Sequence, residues 1–371
     1  MQRAIYMDWN ATAPVRPVAA RAVLRALEEV GNPSSVHGFG RAARKLMEEA
    51  RSALAAQIGA KVENIVFTAG GTEANALALA SRGARRLIVS AIEHDSVLKP
   101  AVDAPVIQVD RNGVIDLDHL RFRLEQDAAP ALVSLMLANN ETGVIQPVAE
   151  AAAIAHAHGA LLHCDAAQAI GRIAVDLSAL GADYLTLSGH KFGAPQGVGA
   201  LVTNGAPISA LVVGGGQERR RRAGTENVPA IAGFGAALAA IDTTAAAEVA
   251  VLRNMLEARL LDFDPATTVF GREARRLPNT LSFSAGTKSA ETLVMALDLA
   301  GIAVSAGSAC SSGKVKPSHV VTAMGFDAAK AGTAIRVSLG ETNTEADLNA
   351  FMAAWMKIQT VPSMNQIQPA A

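Results

Sequence analysis

Between residues 65 and 203, short apolar runs alternate with stretches of helical spacing, and that alternation leaves the chain few architectures. Residues 65–68, 87–90, 106–109, 132–138, 161–164, 184–187 and 199–203 read as strands. Helices are expected over 72–81, 94–102, 117–126 and 147–158, after two earlier ones over 16–30 and 40–59. Strands this apolar have no face to offer water. The pattern therefore predicts an α/β fold, a mainly parallel, seven-stranded type of sheet with helices on both faces. From about residue 227 the rhythm changes. One long helical region to 261 precedes strands at 280–284, 302–305 and 335–338 and helices over 290–300, 317–324 and 344–358, a pattern that suits a smaller α+β domain. A chain of 371 residues exceeds one usual core. The expected division is a large domain of residues 15–245 and a small one of residues 1–14 and 246–371, the latter carrying Cys310.

Chemistry-bearing residues cluster just past the expected strands. Ser188-Gly189-His190-Lys191 follows the run at 184–187, where open α/β sheets place their ligands. A lysine there, flanked by small and neutral residues, is a candidate Schiff-base amine for pyridoxal phosphate (PLP). Asp165 ends another strand, and a carboxylate against a pyridinium nitrogen is what such a cofactor needs, although helix capping would also explain it. Gly70-Gly71-Thr72 between a strand and a helix is either a phosphate cradle or an ordinary capped helix; it lacks the lysine of a nucleotide P-loop. His94 could stack on a flat cofactor and move protons, or be structural, and Asn140 could donate to a ring substituent. Arg336 lies inside an apolar strand and needs a partner, either a substrate carboxylate or a structural carboxylate. Cys164 points into the core, whereas Cys310, among small residues, is a nucleophile candidate.

Charge and cysteine usage exclude several classes. A net charge of −1 predicts no nucleic-acid and no anionic-membrane partner; in the run Arg219–Arg222 the four arginines either bind phosphate or are solvated. Two distant cysteines make no disulfide framework, and with no signal peptide or long apolar span the expected location is cytoplasmic. The histidines and cysteines show no metal-ligand spacing, so no intrinsic metal is expected.

Read together, Met7–Thr12, Asn32–His37, Gly70–Asn75, Asn139–Gly143, Ser188–Lys191, Gly214–Arg219, Arg222–Asn227 and Gly307–Gly313 resemble the cysteine desulfurases, in the branch of the nitrogen-fixation and housekeeping iron–sulfur assembly enzymes. These are fold-type I PLP enzymes of the class-V aminotransferase group. The resemblance implies Lys191 as the cofactor's Schiff-base lysine and base at the substrate Cα, Asp165 on the pyridinium nitrogen, and His94 on the ring. It implies Asn140 and Gln168 at the phenolic oxygen, and Gly71, Thr72, Ser188 and His190 as the phosphate cup. Thr225 would reach the cofactor of a neighbouring subunit in a homodimer, and Arg336, with Asn10 nearby, would hold the carboxylate of L-cysteine. Cys310 would take the sulfur as a persulfide, release L-alanine, and pass the sulfur to a scaffold or other acceptor protein for iron–sulfur assembly; it could also ligate a transient cluster. Nitrogenase-cluster maturation, general iron–sulfur assembly and tRNA thiolation stay open as pathways. A selenocysteine lyase or another PLP lyase or aminotransferase is the rival on the same fold, and a PLP-free sulfur carrier the rival outside it. The sequence departs from the family's pattern at Cys164 and Arg220, and the tail after Ile358 is short.

Overall fold

The computed structural model describes residues 4–242, 244–307 and 317–360. The first eight strands are β1 (Ile5–Tyr6), β2 (Ile65–Thr68), β3 (Arg86–Ser90), β4 (Val106–Ile107), β5 (Ala131–Ser134), β6 (Leu161–Asp165), β7 (Tyr184–Ser188) and β8 (Gly199–Thr203). Seven of them form one sheet in the order β2-β8-β7-β6-β5-β3-β4. All neighbours from β7 to β4 run parallel, while β8 is antiparallel to both β7 and β2.

Period-two alternation decides which face each side chain serves. Ile65, Phe67, Ile88, Val133, Leu185 and Val202 join one buried cluster with the helices Pro17–Glu28, Gly38–Ile58 and Val228–Ala239. Their neighbours Val66, Val89, Leu132, Tyr184 and Leu201 pack instead with the helix Gly71–Ala80 on the opposite face. Both faces are thus covered. Within this apolar slab His163 joins three strands, its Nδ1 2.8 Å from Ser134 Oγ and its Nε2 3.0 Å from Thr186 Oγ1. Burial holds that imidazole neutral, with a pKa of about 4.

The open edge at β2 is closed by side chains. Arg51 Nη1 donates to Ile65 O (2.8 Å), Phe67 N donates to Glu218 Oε2 (3.2 Å), and the arginine and carboxylate pair bidentately at 2.9 and 3.0 Å. This buried clamp leaves no free ladder for another chain. It also fixes an unusual turn, since Glu218, Arg219 and Arg220 all have positive φ (45°, 57° and 66°), a region costly for residues with a Cβ. The arginine run is therefore not uniformly solvated: Arg222 pairs with Glu73 at 2.8 Å and Arg221 bonds Glu63 O at 2.7 Å, while Arg219 and Arg220 are exposed.

The remaining strands are β9 (Thr268–Val269), β10 (Thr280–Ser284), β11 (Ile302–Ala303), β12 (Ser305–Ala306) and β13 (Ala334–Ser338). A four-stranded antiparallel sheet runs β12-β13-β10-β9, and β1 pairs in parallel with β11, Ile5 opposite Ile302. Phe283, Phe351, Trp355, Leu281 and Met7 centre its core. Two expectations need correction here. The helical region from 227 is two helices, Val228–Ala239 and Ala245–Phe263, broken where Asp242 Oδ1 accepts from Thr244 N and Oγ1. The expected strand at 302–305 is two short strands, because the chain leaves β1 and joins β13 within four residues. Among the described residues no helix is long and apolar enough to cross a membrane.

Candidate active site

The carboxyl ends of β3, β5, β6 and β7 open on a cavity of about 810 Å³. Asn10, Gly71, Thr72, His94, Asn140, Asp165, Gln168, Ser188, His190, Lys191 and Arg336 all line it. Of the expected site residues among those described, only Thr225 lies elsewhere, in a separate cavity of about 180 Å³ beside Thr68 and Glu226. Cys310 lies outside the described residues.

Lys191 ends a 3₁₀ turn directly after β7, and its Nζ donates to Asn10 O (2.6 Å) and Ala11 O (2.9 Å). Asp165, 6% exposed, caps no helix, since only a turn follows β6: its Oδ1 accepts from Ala167 N at 2.9 Å within that turn, its Oδ2 accepts from Asn75 Nδ2 at 2.7 Å, and the residue lines the cavity.

At the other end, the helix Gly71–Ala80 aims its N-terminus into the cavity, with Thr72 and Ser188 beside it. Space there is tight. A Cβ on Gly199 would fall 2.6 Å from the carbonyl carbon of Gly70, and one on Gly71 would meet Ser188 Cβ at 3.2 Å, so backbone amides can approach an anion closely. His190 Nδ1 sits 3.2 Å from Thr12 Oγ1. Burial, with the nearby cations Lys191 and Arg172, lowers its pKa to about 4, so the ring is neutral.

Arg336, 2% exposed, donates to Asp8 Oδ1 (2.7 Å) and Asn140 O (3.0 Å), so the structural ion pair exists. Its Nε is buried and has no partner among the described residues, and the residue lines the cavity. Several contributors carry no motif of their own. Asn75 and Ser96 link His94 to Asp165, and Arg172 holds Gln168 by donating from Nη1 to its carbonyl (3.0 Å) and to Oε1. Glu93 and Glu141 are buried and pushed by desolvation to pKa values of about 7. Each stands next to a site residue in sequence, and Glu141 also lies within the stretch Asn139–Gly143, signals that could have found them.

Residues 5–351 match the family model described as aminotransferase class-V. The chain belongs to the class-V aminotransferase family. Among curated members, a cysteine desulfurase IscS of Dictyoglomus turgidum is 40% identical over 368 residues, covering 94% of this chain and 93% of that protein. A cysteine desulfurase of Cereibacter sphaeroides is 42% identical, covering 94% of each. A solved NifS-like protein from Rickettsia africae superposes with a TM-score of 0.89 at 37% identity, over 97% of this chain and all of the other. The fold is thus the fold-type I PLP fold of class-V aminotransferases, and the cofactor of this family is PLP. The residues present fit it: an amine at Lys191, a carboxylate at Asp165 and a glycine-lined helix N-terminus share one cavity.

Proposed function

We propose that this chain is a cysteine desulfurase, converting L-cysteine to L-alanine and transferring the sulfur to Cys310. The observation that carries the reading is one cavity in which Lys191, Asp165, His94 and Arg336 converge, in a chain whose full-length relatives bear that name. PLP, when bound, supplies an electron sink for the substrate carbon. Lys191 would hold it as a Schiff base, Asp165 would keep its ring nitrogen protonated, and Asn140 and Gln168 would face its phenolic oxygen. Gly71, Thr72, Ser188 and the neutral His190 would cup its phosphate.

Arg336 orients L-cysteine by its carboxylate, with Asn10 beside it. Lys191 would take the proton from the substrate Cα. Cys310 thiolate then attacks the substrate sulfur: a new S–S bond forms, the Cβ–S bond breaks, and the carbon keeps the electron pair and takes a proton. Alanine leaves, and Cys310 keeps a persulfide for an acceptor protein of iron–sulfur assembly.

We also assign a homodimer, with Thr225 serving the partner's cofactor. Support comes from the exposed apolar side chains Leu24, Leu27, Val30, Val36 and Phe39, grouped on and between the first two helices. The division into domains at residue 245 is retained as a proposal, supported by the separate cores of the two sheets. The decisive test incubates PLP-loaded protein with L-cysteine and measures alanine and protein persulfide in wild type and Cys310→Ala. Alanine with a persulfide that vanishes in the variant supports the reading. Equal alanine from both refutes the role of Cys310, and none from either refutes the desulfurase.

A further inference from the structure

Asp165 and His94 are joined by two polar side chains, Asn75 and Ser96, to which the sequence assigns no role. Asn75 Nδ2 donates one hydrogen to Asp165 Oδ2 (2.7 Å) and the other to Ser96 Oγ (2.8 Å). Asn75 is 1% exposed and its Oδ1 has no partner among the described residues. The reverse amide orientation would set Oδ1 against a carboxylate oxygen, so the charge-assisted bond fixes the amide and offsets the orphaned oxygen.

The direction of every later bond follows. Ser96 Oγ already accepts from Asn75, and its single hydrogen is left for His94 Nδ1, 2.8 Å away. The Ser96 backbone N–H also points at that nitrogen, at 3.1 Å, because His94 caps the short helix Asp95–Leu98. Two donors converge on Nδ1. A hydrogen there would collide with a backbone N–H that cannot turn away. Glu93, Asp95, Glu141 and His319 interact electrostatically with the same ring without changing which nitrogen faces the donors.

We propose that Asn75 and Ser96 are positioning residues which fix the uncharged form of His94 as its Nε2–H tautomer, making that form a hydrogen donor, not a base, toward the cavity it lines. On this assignment proton abstraction belongs to Lys191 alone, and His94 serves the steps in which a proton or hydrogen bond is given. What His94 does with that hydrogen rests on the desulfurase reading above; which nitrogen holds it does not.

The test is ¹⁵N NMR of histidine-labelled holoenzyme, with His94 assigned by its loss in His94→Gln, and alanine release measured on the same samples. In wild type, Nδ1 should show a pyridine-type and Nε2 a pyrrole-type shift. Ser96→Ala should move both toward the tautomer average and lower kcat about tenfold with KM for L-cysteine held within about twofold, while Ser96→Thr restores shifts and rate. A pyrrole-type Nδ1 in wild type, or shifts unmoved in Ser96→Ala, overturns the proposal. Wild-type shifts as expected without alanine release would sink the desulfurase reading and leave the tautomer standing.

Discussion

Glu93 is fully buried, with Oε1 2.7 Å from both Ser90 Oγ and Met136 N and with Oε2 unpartnered among the described residues. Desolvation raises its pKa from 4.5 to about 7. Between those two values the folded protein holds a proton that the unfolded chain has released. The stability this gives is complete below pH 4.5 and is lost as pH climbs through about 7. A shift of this size is worth about 3 kcal/mol at ~1.4 kcal/mol per unit. Glu93→Gln has the shape of the protonated acid but does not titrate, so the difference between variant and wild type isolates this one group. Urea unfolding followed by fluorescence of the buried Trp9 and Trp355 gives both stabilities. From about pH 5 to about pH 8.5 the variant should gain about 3 kcal/mol on wild type, roughly 5 °C in Tm. Parallel stability curves for the two proteins would refute a protonated Glu93.

Removing the clamp on the sheet edge with Glu218→Ala leaves the buried Arg51 only the half-exposed Glu48 as a counter-charge and unpairs Phe67 N–H, and should cost about 3 kcal/mol in urea unfolding; a loss under about 1 kcal/mol contradicts the clamp. Arg336→Lys keeps the charge but loses the planar fork, and steady-state assays should show KM for L-cysteine raised about tenfold or more. An unchanged KM would remove the arginine from substrate binding. Gly340→Ala places a Cβ 2.0 Å from the Trp9 ring, so it should destabilise by about 1–3 kcal/mol and shift the Trp9 emission, whereas an unperturbed spectrum denies that packing.

Much of this was legible in the residues. The strands Ile65–Thr68, Gly199–Thr203 and Thr280–Ser284 have the bounds read from sequence, because turn or capping residues flank each apolar run. Lys191, Asp165, His94 and Asn140 were found because each directly follows such a run. Asn75 and Ser96 were not, since a polar residue in a helix looks like a solvated one until the sheet beneath it is known. Arg336 had two readings, and the Asp8 pair satisfies one without excluding the other. The break at Asp242 carries a readable Asp-Thr-Thr signal, but the alanines on both sides have helix propensity enough to mask it. The change of partner between Ile302 and Ser305 depends on distant strands and has no local signal.

The pairing of β1 with β11 bears on when the molecule becomes an enzyme. Lys191 Nζ rests on the carbonyls of Asn10 and Ala11, and Asn10 N is itself held by Ser338 Oγ at 2.9 Å. On the ribosome, residues 5–11 emerge early and wait for roughly three hundred residues before β11 and β13 exist to receive them. The seven-stranded sheet can close long before that. Contacts of such sequence separation form late, so the lysine's final setting is completed only once β13 has been synthesised. The reactive amine therefore gains its native place only in a chain that has been made through β13.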